Sequence, residues 1–166
     1  MDSQLAQLFL QHSEEKLQQM KDTVDRCLTK LTDEQIWTRG GAHENSIGNL
    51  ILHLSGNVRQ WIIAGIGGQK DIRNRDLEFS AQGGLAREEL LAPFHQTVDE
   101  AIGVLRAVTA QRLTETVNPQ TGPVSVLEAI YNVVGHFQQH TGQIIFAAKI
   151  FAAQDLALPR SQFARK

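Results

Sequence analysis

His136 and His140 stand four residues apart in Tyr131-Asn132-Val133-Val134-Gly135-His136-Phe137-Gln138-Gln139-His140-Thr141-Gly142-Gln143-Ile144-Ile145, a stretch with the apolar pattern of a helix. One helical turn apart, two imidazoles share a face and can converge on one metal ion, leaving positions for a third protein ligand and for water or substrate. His53, on a separate helical stretch, is the candidate third ligand. The spacing alone is weak, because the chain has six histidines in 166 residues, so the placement of each histidine on its helix has to carry the reading. With His136 at zero and about 100° per residue, Ile130, Val133, Val134, Phe137, Ile144, Ala148 and Phe151 cover roughly 60° to 160°, and His140 falls at about 40°. His53 likewise lies at the edge of an apolar stripe, with Asn49 and Asn57 one turn to either side. Two such margins packed together make a polar-lipped groove, in which the asparagines could hold a ligand histidine's second nitrogen or a water. The alternative is ordinary amphipathic helix surface.

Four long helical stretches have to position these residues. Leu5, Leu8, Phe9, Leu17, Met20, Val24, Cys27, Leu28 and Leu31 recur at helical intervals, which predicts a first helix over about 3–31. Thr32-Asp33-Glu34-Gln35 has the form of a capping box opening a short turn with Ile36 and Trp37, before Gly40-Gly41 breaks the chain. Ser46 is an N-cap for a second helix over about 46–65, which stops at Gly65, Gly67 and Gly68. A third is expected over about 86–108, with Pro93 as a kink or late start and His95 as a core-edge filler. Asn118-Pro119-Gln120-Thr121-Gly122-Pro123 is turn chemistry, and the Ser125 to Glu128 capping box opens a fourth helix over about 126–152. With no convincing strand pattern and no internal repeat, these elements imply an all-α four-helix bundle in one domain.

The segment from about Gly67 to Leu85 is long for a loop, and such loops are functional or span a long distance. A connection returning to the same end of a bundle, so that the second and third helices run parallel, needs to cross about 30 Å. Arg73 and Arg75 are expected to pair with Asp71, Asp76 and Glu78 and pin the crossover, with a substrate carboxylate as the alternative partner.

Sixteen basic and eighteen acidic side chains give a formal charge of −2 with no like-charge run, which disfavours nucleic-acid binding. No apolar run approaches the roughly 20 residues of a membrane span, and Met1 to Leu10 has no secretory signal pattern, so the expected location is cytoplasmic. The single cysteine, Cys27, sits at helical spacing with Met20, Val24 and Leu31 and is read as a buried, inert thiol.

With His53 in Asn49-Leu50-Ile51-Leu52-His53-Leu54-Ser55-Gly56-Asn57 and His136-x-x-x-His140-Thr141-Gly142-Gln143-Ile144 in place, the chain resembles the DinB-like superfamily of four-helix-bundle proteins over nearly its full length. The Ser46 to Leu50 start, the Gly56-Asn57-Val58-Arg59-Gln60-Trp61 continuation and Arg75-Asp76-x-Glu78-Phe79 look like a branch known mostly as domains of unknown function. The resemblance implies helices running up, down, down, up. It also implies a homodimer and a divalent metal, zinc or nickel, held by His53, His136 and His140. Asn49, Asn57, Gln143, Arg73 and Arg75 are the residues expected around that metal or the substrate. Characterised relatives include transferases that use low-molecular-weight thiols, and hydrolases have been suggested.

A three-histidine divalent ion keeps an open position and lowers the pKa of a bound water or thiol toward neutrality. The imidazoles need to be neutral, so binding should weaken below about pH 6. The reading is therefore a thiol-dependent transferase acting on a small molecule, with a metal-dependent hydrolase and a non-catalytic metal-binding module as alternatives. No general acid or base is evident in the sequence, since Glu128 is two turns from His136 and no Asp or Glu lies within a turn of His53.

Overall fold

The computed structural model describes residues 3–41, 43–120 and 122–158. Its long helices are α1 (Ser3–Leu28), α3 (Ile47–Val58, continued by a π-helical segment Arg59–Ile66), α5 (Arg87–Arg106) and α6 (Val126–Ala152). Two short helices, α2 (Asp33–Trp37) and α4 (Arg75–Ser80), lie in the connections. A two-residue antiparallel pair, β1 (Thr116–Val117) with β2 (Val124–Ser125), precedes α6, in register Thr116 to Ser125 and Val117 to Val124. The strand pair is too short to have left an alternating pattern, and Thr121 of the turn between the strands lies outside the described residues.

Local chemistry starts the helices where the sequence suggests. Thr32, Ser46 and Ser125 each accept from the backbone N–H three residues on, and the side chains of Gln35, Asn49 and Glu128 return the bond to the cap residue. Each such cap is worth about 1 kcal/mol. Pro93 sits inside α5, in the second turn. The second long helix differs from the uniform α-helix expected over 46–65, because its last eight residues adopt π geometry. The Gly67 N–H reaches back five residues to the Ile62 carbonyl at 2.8 Å. Gly65 packs so closely on Pro119 that a Cβ there would stand 2.7 Å from the Pro119 ring.

Helix α1 packs on α5 and α6, and α3 packs on the same two, so four apolar faces enclose one core. Leu17, Leu28, Ile51, Leu54, Ile62, Phe94, Leu105 and Phe137 are fully buried in it, and Leu156, beyond α6, closes it at one end. Burying each of the larger side chains contributes about 1.5–3 kcal/mol, the dominant favourable term in a chain without disulfides. Cys27 is buried there, and burial pushes its thiol up to about 11, as an inert core residue requires. Along α1 the partners Glu14, Lys21 and Asp25 meet Arg106, Asp99 and His95, in descending order along α5. Arg59 meets Glu100 and Gly67 approaches Val104, in ascending order. Gly65 lies at Pro119 while His53 lies at His136. Among the described residues no helix is long and apolar enough to cross a membrane.

Candidate metal centre

The crossover between α3 and α5 is anchored at both ends of its short helix. Asn49 is fully buried, and its Nδ2 donates to the Glu78 and Ala81 carbonyls at 2.9 and 2.8 Å. Arg39 donates to the Phe79 and Ala81 carbonyls and to Asn49 Oδ1. Asn74 caps α4 through the Leu77 N–H. These bonds satisfy backbone acceptors that an unpaired loop would bury at a cost, and they press residues 78–81 onto α3.

Glu78 and Phe79 are thereby delivered to His53. Glu78 Oε2 lies 2.9 Å from His53 Nδ1, and the Phe79 ring centroid lies 4.8 Å from the imidazole. Arg73 grips the same carboxylate with both prongs, Nε to Oε1 at 2.7 Å and Nη2 to Oε2 at 2.8 Å. Gln60 accepts from Arg73 Nη1 and donates to Asp71, which in turn accepts from the Arg73 N–H. Burial alone would raise the Glu78 carboxyl, but the hydrogen bonds from Arg73 and His53, with the charge of Arg73, hold it below the ordinary carboxylate value. An ionised Glu78 makes His53 Nδ1 a donor, so the 3.1 Å approach of Arg73 Nη2 to that nitrogen is two donors meeting on one oxygen. Gly56 lies directly beneath this carboxylate, and a Cβ there would run into Glu78 Oε1 unless Glu78 moved.

With Nδ1 protonated, His53 turns a bare Nε2 toward α6. That nitrogen stands 3.1 Å from His136 Nε2, which stands 3.0 Å from His140 Nε2. His140 Nδ1 lies 2.6 Å from Gln143 Oε1 and donates to it, so the His140 Nε2 is bare too. Candidate ligand atoms of the three residues all lie within 4.8 Å of one another. His53 is buried, while His136 and His140 are partly exposed. Burial lowers His136 to about 4, helped by the neighbouring charges of His140, His53 and Arg73 and opposed by Glu78. Burial also lowers His140, with the Gln143 hydrogen bond acting against it.

Three convergent nitrogens of which two present lone pairs are a poor hydrogen-bonded cluster, since a proton on His136 can serve only one neighbour well at a time. A cation satisfies all three. With metal–nitrogen bonds of about 2.05 Å, ligand nitrogens stand about 3.3 Å apart in a tetrahedral site and about 2.9 Å apart in an octahedral one. Two of the three separations, 3.0 and 3.1 Å, fall between these values, and the third lies within 4.8 Å. The donor set therefore suits a divalent ion held by three imidazoles.

The other expected site residues divide sharply. Gln143 orients His140. Asn49 is consumed by the Ser46 cap and the crossover carbonyls, so it does not hold an imidazole as the sequence suggested. Asn57 does not hold His53 either, because Glu78 occupies that nitrogen. Arg73 is spent on Glu78, and Arg75 lies over the Phe79 ring at 4.9 Å. Arg73 therefore has no prong left for a substrate carboxylate. Glu78 pairs with Arg73 as expected, but its place on His53 is what the sequence did not show. Its signals were its place among the charges of an unusually long loop and in Arg75-Asp76-x-Glu78-Phe79.

The family model described as a protein of unknown function, DUF1572, matches residues 4–161. No curated protein matches the chain. Its fold is similar to that of a conserved protein from Enterococcus faecalis, with a TM-score of 0.72 and 14% identity, covering 87% of this chain and 97% of that one. It is also similar to a DinB-like protein from Bacillus cereus, with a TM-score of 0.68 and 16% identity, covering 91% of this chain and 95% of that one. This chain, with its partly buried cluster of three histidines, belongs to the DUF1572 family and has a helical fold like that of a DinB-like protein.

Proposed function

We propose that His53, His136 and His140 hold a divalent metal ion, zinc or nickel, and that the protein is an enzyme transferring a low-molecular-weight thiol to a small electrophilic substrate. The observation that carries this reading is the convergence of three Nε2 atoms, two of them bare, beside a carboxylate-held imidazole. When bound, such an ion supplies Lewis acidity, which lowers the pKa of a coordinated thiol or water.

The protein's own residues orient and shield. Glu78 fixes the His53 tautomer and, through it, the direction of the Nε2 lone pair. Gln143 does the same for His140, and Phe79 covers one side of the His53 ring. The three histidines form a group without a fourth His, Cys, Asp or Glu among the described residues, which favours an open position over a closed structural site. A thiol is preferred over water as the activated group on one specific ground. Glu78 is the carboxylate bonded to the cluster among the described residues, and both its oxygens are committed to Arg73 and His53, so it is not free to deprotonate water. A thiol of pKa about 8.5 needs far less help.

The same reading takes the four long helices as running up, down, down, up, supported by the opposite order of partners between α1 and α5 and the matching order between α3 and α5. It takes the protein as a cytoplasmic homodimer. Tyr131, Phe146 and Ile150, exposed on α6, support the dimer. Turnover of an electrophile by the zinc- or nickel-loaded protein tests the activity. Consumption that requires added thiol is expected. Consumption without thiol would overturn the transferase in favour of hydrolysis, and sedimentation as a monomer at micromolar concentration would remove the dimer.

A further inference from the structure

Three buried side-chain atoms among the described residues have no hydrogen-bond partner within the protein: Asn57 Oδ1, Trp61 Nε1 and His136 Nδ1. Buried polar atoms are nearly always paired, so each needs an explanation. Asn57 is the next turn after His53 on the same flank of α3, and Trp61 follows it in the π segment. Gln60 and Gly56 meet the crossover, through Arg73 and Glu78. Since His53 lies at His136 and Gly65 at Pro119, Asn57 and Trp61 fall opposite the part of the chain that leads up to His136. The eight-residue π segment that carries Trp61 adds to the case, because π geometry inside a helix is uncommon and concentrates at functional sites.

The chemistry of the three atoms is complementary. Asn57 Oδ1 accepts and Trp61 Nε1–H donates. His136 Nδ1 carries its proton whenever Nε2 is given to a metal, and then donates as well. Of the three histidines, His53 has Glu78 and His140 has Gln143 on the outer nitrogen, and only His136 has no protein group there. We infer that the seam between α3, its π extension and α6 is a subsite for a hydroxyl group, which donates to Asn57 Oδ1 and accepts from Trp61 Nε1 and His136 Nδ1. The hydroxyl belongs either to a retained water or to the substrate. Asn57 and Trp61 are then positioning residues for His136, and a substrate hydroxyl seated there would lie beside the three-histidine centre. The His136 part of this inference rests on the metal reading, while the Asn57 and Trp61 part does not.

Hydrogen exchange of the Trp61 indole N–H, followed by nuclear magnetic resonance in metal-free and zinc-loaded protein, tests it. In both forms the indole proton is expected to exchange slowly, and Asn57→Leu should accelerate it at least about ten-fold, while Asn57→Asp, which keeps an acceptor, should restore most of the protection. In the zinc-loaded protein the His136 Nδ1 proton should be visible and lost to fast exchange in Asn57→Leu, with zinc affinity down about ten-fold. Circular dichroism confirms that each variant is folded. Methanol titration separates the two sources. A saturable shift of the Trp61 indole signal supports a subsite open to a substrate hydroxyl, and an unmoved, still protected signal supports a resident water. Indole exchange that is fast in the unsubstituted protein, or the same in Asn57→Leu, overturns the subsite. Absence of zinc binding with the Trp61 result intact would overturn the metal reading alone.

Discussion

Two histidine–carboxylate pairs tie helices of this protein to neighbouring elements, and they differ in their surroundings. His95 Nε2 lies 2.6 Å from Asp25, across the α5–α1 contact, with side chains 37% and 33% exposed. His53 Nδ1 lies 2.9 Å from Glu78, with both side chains 8% exposed. The first pair is partly open to solvent, and among the described residues neither member belongs to a group of three that could hold a metal. The second is dry, is locked by the two-pronged Arg73, and turns the histidine's remaining nitrogen toward two more imidazoles. A histidine–carboxylate contact is thus no sign of chemistry by itself. What surrounds the pair, and what the second nitrogen meets, separates a helix clamp from a ligand.

The contrast can be broken most forcefully at the metal. Replacing His136 and His140 together by alanine should lower zinc affinity by at least about a thousand-fold, whereas His95→Ala should leave it unchanged, as read by competition with a chromogenic chelator. The next largest effect concerns the carboxylates. Glu78→Ala strands the buried Arg73 guanidinium and should cost about 3–5 kcal/mol in urea unfolding, against about 1 kcal/mol or less for Asp25→Ala. Equal losses would mean that the two pairs are energetically alike. Gly56→Ala should act on the same network by forcing Glu78 aside, at about 1–3 kcal/mol, with metal affinity reduced alongside.

Acidification sharpens the comparison further. His136 is held neutral down to about 4, whereas in the unfolded chain it takes up a proton near its ordinary 6.5. The unfolded state therefore binds more protons in that window, and stability of the metal-free protein should fall by roughly 1 kcal/mol as pH drops from 6.5 to 4. Glu78, whose carboxyl lies below its ordinary value, adds a further loss at still lower pH as it protonates. Thermal melts across this range in the unsubstituted protein and in His136→Ala should separate the histidine contribution, which the variant lacks. The smallest effect is expected far from the site. A Cβ at Gly103 in α5 meets nothing within 4 Å, so Gly103→Ala should raise stability by about 0.5–1 kcal/mol without touching metal affinity.

The contrast between the pairs also marks what the sequence could tell. Caps at Thr32, Ser46 and Ser125 are bonds between residues three apart, so they are written locally and could be read. The marginal placement of His53, His136 and His140 is a property of single helices, which left a shared groove and ordinary helix surface both open, and the three meet where α3 packs on α6. Glu78 could not be found by the same means. It is 25 residues from His53 and arrives through a crossover whose path is set by Asn49, Arg39 and Asn74, all acting on backbone groups. A search for acids within one helical turn of the histidine cannot reach it. The asparagines misled for a related reason. Asn49 has a ligand-like position on its helix, but the N-cap and the crossover claimed its side chain first. The π segment left no sign in the hydrophobic pattern, because Ile62, Ile63 and Ile66 are apolar in either geometry. Within that segment Gly65 packs closely on Pro119, a contact between residues far apart in the sequence.

The central claim is that three imidazoles form a metal site, and elemental analysis of the untagged protein beside the His136→Ala, His140→Ala double variant tests it most directly. A single zinc or nickel ion per chain, absent from a double variant that keeps its helical circular dichroism, is the predicted result. Metal-free protein that takes up no divalent ion on incubation near pH 7.5 would contradict it, and would leave the histidines as a hydrogen-bonded cluster at the edge of the core.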